Sequence, residues 1–130
     1  MNELRVVRAS ELSERTAQTA GMLRRTAVDK ETVGAQNLWV GYVTMAPGAR
    51  SGAHHHGDCE SAIYVIRGRA RFRFGATLAE SADAESGDFI YVPPRLIHEE
   101  INASETEGVE MIVVRDSQAN TVVNVTLAGD

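Results

Sequence analysis

The chain has 130 residues, enough for one hydrophobic core and too few for a second domain with a core of its own. Hydrophobic residues make up 43% and charged residues 24%, a globular mix, and the net charge of -5 with scattered Lys and Arg argues against nucleic acid as a partner. No apolar run approaches membrane-spanning length, and the lone cysteine, Cys59, precludes an intrachain disulfide.

The N-terminal stretch MNELRVVRASELSERT mixes both charge signs and lacks the apolar core of a secretory leader, so a cytoplasmic location is expected. Ser10 is placed to cap a short helical turn through Ser13 and Glu14. Residues 15–36 carry no decisive period, and Val28-Asp29-Lys30-Glu31 has the polarity of an exposed connection. From there the chain reads as short strands. Residues 37–45 (NLWVGYVTM) are rich in β-formers, and residues 63–66 (IYVI) are apolar on both faces. Residues 69–75 alternate Arg with apolar residues, giving one wet and one packed face. Residues 89–92, 109–114 and 121–127 complete the set. Pro47-Gly48, Ser51-Gly52, Gly57-Asp58, Gly68, Ser86-Gly87-Asp88 and Pro93-Pro94 separate these runs. The expectation is an all-β sandwich or barrel over residues 37–130, preceded by an arm and first strands over residues 1–36.

The unusual feature is His54-His55-His56. It is internal and flanked by strand-forming sequence, so it is not a tag remnant. In an extended strand His54 and His56 share one face and His55 points away. Two imidazoles on one face can converge on a single ion. Glu60 follows one tight turn later and offers a hard oxygen with compensating charge. His98 has to arrive from a distant strand, which a closed barrel provides. Cys59, next to Glu60, is expected to face the other way and pack. Tyr64, Tyr42 and Trp39 are weaker pocket candidates. The series Arg67, Arg69, Arg71 and Arg73 reads as a wet face, and one of Glu99 and Glu100 should point outward.

Two spaced motifs now stand out. Gly48 is followed by five residues, His54-His55-His56, three residues, Glu60, seven residues and Gly68. Gly87 is followed by five residues, Pro93, and then His98 and Asn102 at fixed spacing. The chain resembles the small cupins, whose first motif is a Gly, His-x-His, Glu and Gly and whose second is a Gly, Pro-x-Gly, His and Asn. The resemblance implies a jelly-roll barrel and a metal held by His54, His56, Glu60 and His98. Two departures accompany it. Arg95 stands where the family has a turn Gly that permits positive φ. Glu60 lies one step early against Gly68, which leaves two alternatives. Either Ser61 takes the ligand register, or a bulge near Gly57 returns Glu60 to the interior.

Three imidazoles and a carboxylate suit a divalent first-row ion, and iron, manganese, nickel, zinc, cobalt and copper all remain. The resemblance implies a metal-dependent enzyme on a small organic molecule, with an oxygenase leading. The alternatives are a non-catalytic metal or metabolite binder, and an isomerase, epimerase, lyase or cyclase. It also implies a homodimer, with residues 4–7 and 22–28 adding to a neighbour's sheet.

Overall fold

The computed structural model describes residues 3–119 and 122–127. Ten strands appear among them: β1 (Met22–Val28), β2 (Trp39–Met45), β3 (His54–His55), β4 (Ser61–Arg67), β5 (Arg69–Phe74), β6 (Glu80–Glu85), β7 (Phe89–Val92), β8 (His98–Ile101), β9 (Val109–Arg115) and β10 (Val123–Asn124). They form two five-stranded antiparallel sheets, ordered β1-β2-β9-β4-β7 and β10-β3-β8-β5-β6. The strand expected at residues 63–66 is longer than its apolar core and runs over Ser61–Arg67. The expected C-terminal strand keeps only Val123–Asn124, and Thr121 lies outside the described residues.

Alternation sorts each strand into two faces. On β2 the buried series is Trp39, Val43 and Met45, with Gly41 on the same face. On β9 it is Val109, Met111 and Val113, and on β4 it is Ser61, Ile63 and Val65. The opposing sheet supplies Ala70, Phe72 and Ala84 to the same core cluster. The Arg series behaves as its period requires. Ala70 and Phe72 are buried, while Arg69 and Arg71 stand outside and pair with Glu85 and Asp83 across β5–β6, at 3.0 and 2.9 Å. Strands β6 and β8 carry no apolar run, so hydrophobic pattern alone missed them. Each is specified by its cross-strand partners instead.

The N-terminal third departs from the sequence expectation. The helical turn is a 3-10 turn at Ala9–Glu11, with the Glu11 carboxylate accepting from the Arg8 N–H at 3.0 Å, and it does not reach Ser13. The supposed exposed connection contains a single α-helical turn, α1 (Lys30–Val33). Asp29 caps it by accepting from the Thr32 N–H at 2.9 Å, and Gly34 closes it at φ 74°. Residues 22–28 pair along the chain's own β2, and residues 4–7 form no strand.

Candidate metal centre

The two motifs fold into facing loops and adjoining strands. His54 on β3 pairs directly with His98 on β8. His56 leaves β3 on the same side, and all three rings are buried, at 4%, 8% and 2% exposure for His54, His56 and His98. Their ring centroids lie 4.4 to 5.3 Å apart. One nitrogen from each ring falls within 4.8 Å of the others, the only such group of potential ligand side chains among the described residues. The Nδ1 atoms of His54 and His98 donate to the Gly52 and Leu96 carbonyls, both at 2.9 Å. That leaves each Nε2 as the nitrogen open to an ion, the orientation a ligating histidine needs. His55 turns back on its own loop, where Nδ1 accepts from the Gly57 N–H at 3.0 Å.

Burial lowers the pKa of His54 below its ordinary value; the Glu100 carboxylate pulls the other way and His98 adds to the lowering. A neutral imidazole is the form that ligates. Glu100 shares the inward face of β8 with His98 and is itself buried. Burial pushes its carboxyl up, but His98, His54, Arg24 and Arg115 outweigh that, and the net shift is downward. Glu99 takes the opposite face and pairs with Arg50 at 2.7 Å.

Glu60 is not brought to this cluster. β4 begins at Ser61, and strand alternation sends Ser61 inward and Glu60 outward. Glu60 is exposed and accepts a hydrogen bond from the Tyr91 hydroxyl at 2.7 Å. Gly57 does adopt a positive φ of 63°, yet its turn does not return Glu60 to the interior. Ser61 occupies the inward register and is 5% exposed. Cys59 also stays outside the triad, and Tyr42 and Tyr64 lie on the outer face, with Tyr64 packed on Phe89. Trp39 alone of the aromatic candidates points inward.

Arg95 adopts φ 62°, the left-handed conformation that its motif Gly would take freely. Its backbone N–H donates to the Gly57 carbonyl at 2.7 Å, and its guanidinium pairs with Asp58. The loop carrying His98 is thereby tied to the loop carrying His54 and His56. Asn102 closes the second motif: buried, its Nδ2 donates to the Ala46 and Glu107 carbonyls at 3.2 and 2.8 Å, and its Oδ1 accepts from the Ser104 N–H at 3.0 Å. Its part is to fix the loop, and it is not among the clustered donors.

The family model described as Cupin domain matches residues 41–115, which contain both motifs. The chain is a cupin. No curated protein matches this cupin by sequence. Among solved structures, the polyketide cyclase RemF from Streptomyces resistomycificus is similar, with a TM-score of 0.79 and 19% identity over 98% of this chain and 89% of that one. An oxalate oxidase is similar at a TM-score of 0.69 and 20% identity, covering 84% of this chain and 57% of the other. Oxalate decarboxylase from Bacillus subtilis matches at a TM-score of 0.70 and 22% identity, over 83% of this chain and 28% of that one. This cupin thus spans well under two thirds of both oxalate enzymes. No helix among its described residues is long and apolar enough to cross a membrane.

Two clefts each have one histidine of the triad in their walls. One, of about 600 Å³, is mostly apolar and runs from His98 along Phe72, Phe74, Phe89, Tyr91 and Leu96. The other, of about 400 Å³, is polar and contains His54, Arg24, Arg115, Ser51 and Asn124. Sequence patterning had no means of finding Arg24, Arg115 or Glu100, because their roles depend on which strands the fold sets beside the histidines.

Proposed function

We propose that this cupin is a metal-dependent enzyme acting on a small organic molecule, with His54, His56 and His98 as the ligands of a divalent transition metal. The carrying observation is three buried imidazoles from two separated segments, with clustered nitrogens and two Nδ1 atoms pinned to carbonyls. The donor set fits such an ion, since neutral nitrogen ligands suit first-row metals. When bound, the ion supplies Lewis acidity and, if redox-active, oxygen activation. Glu60 drops out of the ligand set on its outward placement. The protein's own contribution is to favour the neutral form of His54 by burial, to fix the tautomers of His54 and His98 through the Gly52 and Leu96 carbonyls, and to set a cleft beside each of those two rings.

An oxygenase is the leading reaction class. A cyclase is the second reading, favoured by the aromatic-lined cleft beside His98 and by the likeness to a polyketide cyclase over nearly the whole chain. Elemental analysis of purified protein, with His54→Ala and His98→Ala alongside, tests the metal. The expected result is about one divalent ion per chain, lost in both variants; no metal under any loading condition ends the proposal. Oxygen uptake over diketones, catechols and flavonols identifies an oxygenase, and ring closure of a linear polyketone without oxygen uptake identifies a cyclase.

A cytoplasmic homodimer completes the reading. The uncovered edge strand β7, with Phe89 at 78% and Tyr91 at 61% exposure, supports association with a second copy. Light scattering at the monomer mass would overturn it.

A further inference from the structure

Among the described residues, four of the five buried side-chain polar atoms that lack a hydrogen-bond partner belong to Thr26, Trp39, Ser61 and Arg115. All four residues lie on the inward face of the same sheet. Trp39, Arg115 and Ser61 are direct neighbours across three strands, since Arg115 pairs with Trp39 on one side and Ser61 on the other. The Arg115 guanidinium stacks on the Trp39 ring with its carbon 4.8 Å from the centroid. Buried polar groups are ordinarily satisfied, so a contiguous row of orphans calls for a missing partner.

The chemistry of the row says what that partner is. The Arg115 Nε–H and the Trp39 indole N–H only donate, and the Ser61 hydroxyl is free to donate as well. None of the described ion pairs includes Arg115. The carboxylate that interacts with Arg115 is that of buried Glu100, which interacts with Arg24 as well; two guanidiniums against one carboxylate leave a net positive charge, and beside further donors that is the complement of an anion with planar oxygens. Arg115 opens onto the polar cleft whose wall also holds His54 and Arg24. Arg24 adds a second positive charge, its Nη1 held by the Thr19 hydroxyl at 3.0 Å and not by a carboxylate.

We propose that Arg115, with the Trp39 indole N–H and the Ser61 hydroxyl, is a carboxylate-binding site beside the histidine triad, and that the substrate is a small organic acid docked there by its carboxylate. The second half rests on the metal reading above; the anion site itself does not. The same row accounts for Ser61 at the inward register. A glutamate at that position would place a carboxylate against Arg115, whereas serine leaves a neutral donor.

The test is titration calorimetry on the full chain, once loaded with zinc and once treated with chelator, using benzoate and glycolate against the neutral isosteres benzamide and glycolamide. The carboxylates are expected to bind at least about tenfold tighter than the amides, the size of one charge-assisted hydrogen bond. Arg115→Met should erase that preference, Arg115→Lys should keep part of it, and Ser61→Ala should weaken carboxylate binding several-fold. Equal binding of acid and amide, or an undiminished preference in folded Arg115→Met, overturns the site. Should Arg115→Met fail to fold, Arg115→Lys and Ser61→Ala decide by the same preference. If zinc fails to bind while chelated protein still prefers carboxylates, the metal reading falls and the anion site stands. If zinc binds at the triad with no acid preference, the reverse holds.

Discussion

Gly68 and Gly87 are both motif glycines in left-handed conformations, at φ 88° and 93°. Their surroundings differ. A Cβ on Gly87 would meet nothing within 4 Å, whereas one on Gly68 would lie 2.5 Å from the Gly108 carbonyl oxygen and 3.1 Å from Val109 Cα. Alanine at either site costs about 1–2 kcal/mol of left-handed strain. Restricting the unfolded chain returns about 0.4–1 kcal/mol. Gly68→Ala must in addition push apart two backbones next to the start of β9, an overpacking cost of about 1–3 kcal/mol. The sums are about 1 kcal/mol for Gly87→Ala and about 3 kcal/mol for Gly68→Ala. An unfolding entropy of about 2.1 cal/mol/K per residue converts 1 kcal/mol into about 4 °C for this chain. Gly68→Ala should then melt about 11 °C below the parent and Gly87→Ala about 4 °C below it. Urea unfolding and calorimetric melts of metal-free protein measure both. Equal losses, or a larger loss at Gly87, would refute the steric argument, because backbone conformation is all that the two sites share.

Three further outcomes follow from particular contacts. Glu60→Gln is expected to leave metal content unchanged, because the side chain is spent outside on the Tyr91 hydroxyl; loss of metal by elemental analysis would return Glu60 to the ligand set. Arg95→Gly should be as stable as the parent or slightly more so in urea, since relief of a positive φ balances loss of the exposed Asp58 ion pair. A hydrogen bond from Arg71, aided by its charge, holds the Asp83 carboxyl below its ordinary value. The unfolded chain therefore takes up that proton first on acidification, and the pair's stabilisation is present above the ordinary aspartate range and lost as pH falls through the folded pKa. The stability gap between the parent and Asp83→Asn should accordingly be small at pH 7 and should close as pH falls below the ordinary aspartate range and through the folded value, with urea midpoints as the readout.

Much of the centre was legible in the chain as a string. Strand alternation alone puts His54 and His56 on one side and His55 on the other, and the structure keeps that division. The two spaced motifs bring in His98 from more than forty residues away, and the fold pairs it directly with His54. The positive φ demanded of position 95 is equally present, carried by an arginine that gains a partner in Asp58. Strands with apolar periodicity were visible for the same reason: burying one face is a local requirement written every second residue.

What the string left open is whatever depends on a neighbour in space. Whether Glu60 or Ser61 faces inward turned on where β4 begins, and a one-residue change of register exchanges every side chain between the two faces. Strands β6 and β8, with sequences ESADAE and HEEI, carry no apolar pattern and exist because β5 pairs with both. The row of Trp39, Arg115 and Ser61 joins three strands distant in sequence, so its lack of partners became visible only once the sheet had assembled. The sequence by itself determined an all-β chain with His54 and His56 on one face, through local period, and its resemblance to the small cupins added the barrel and His98. The tertiary structure decided the fourth position and the charge beside it, because both are set by pairing between strands and not by any strand alone.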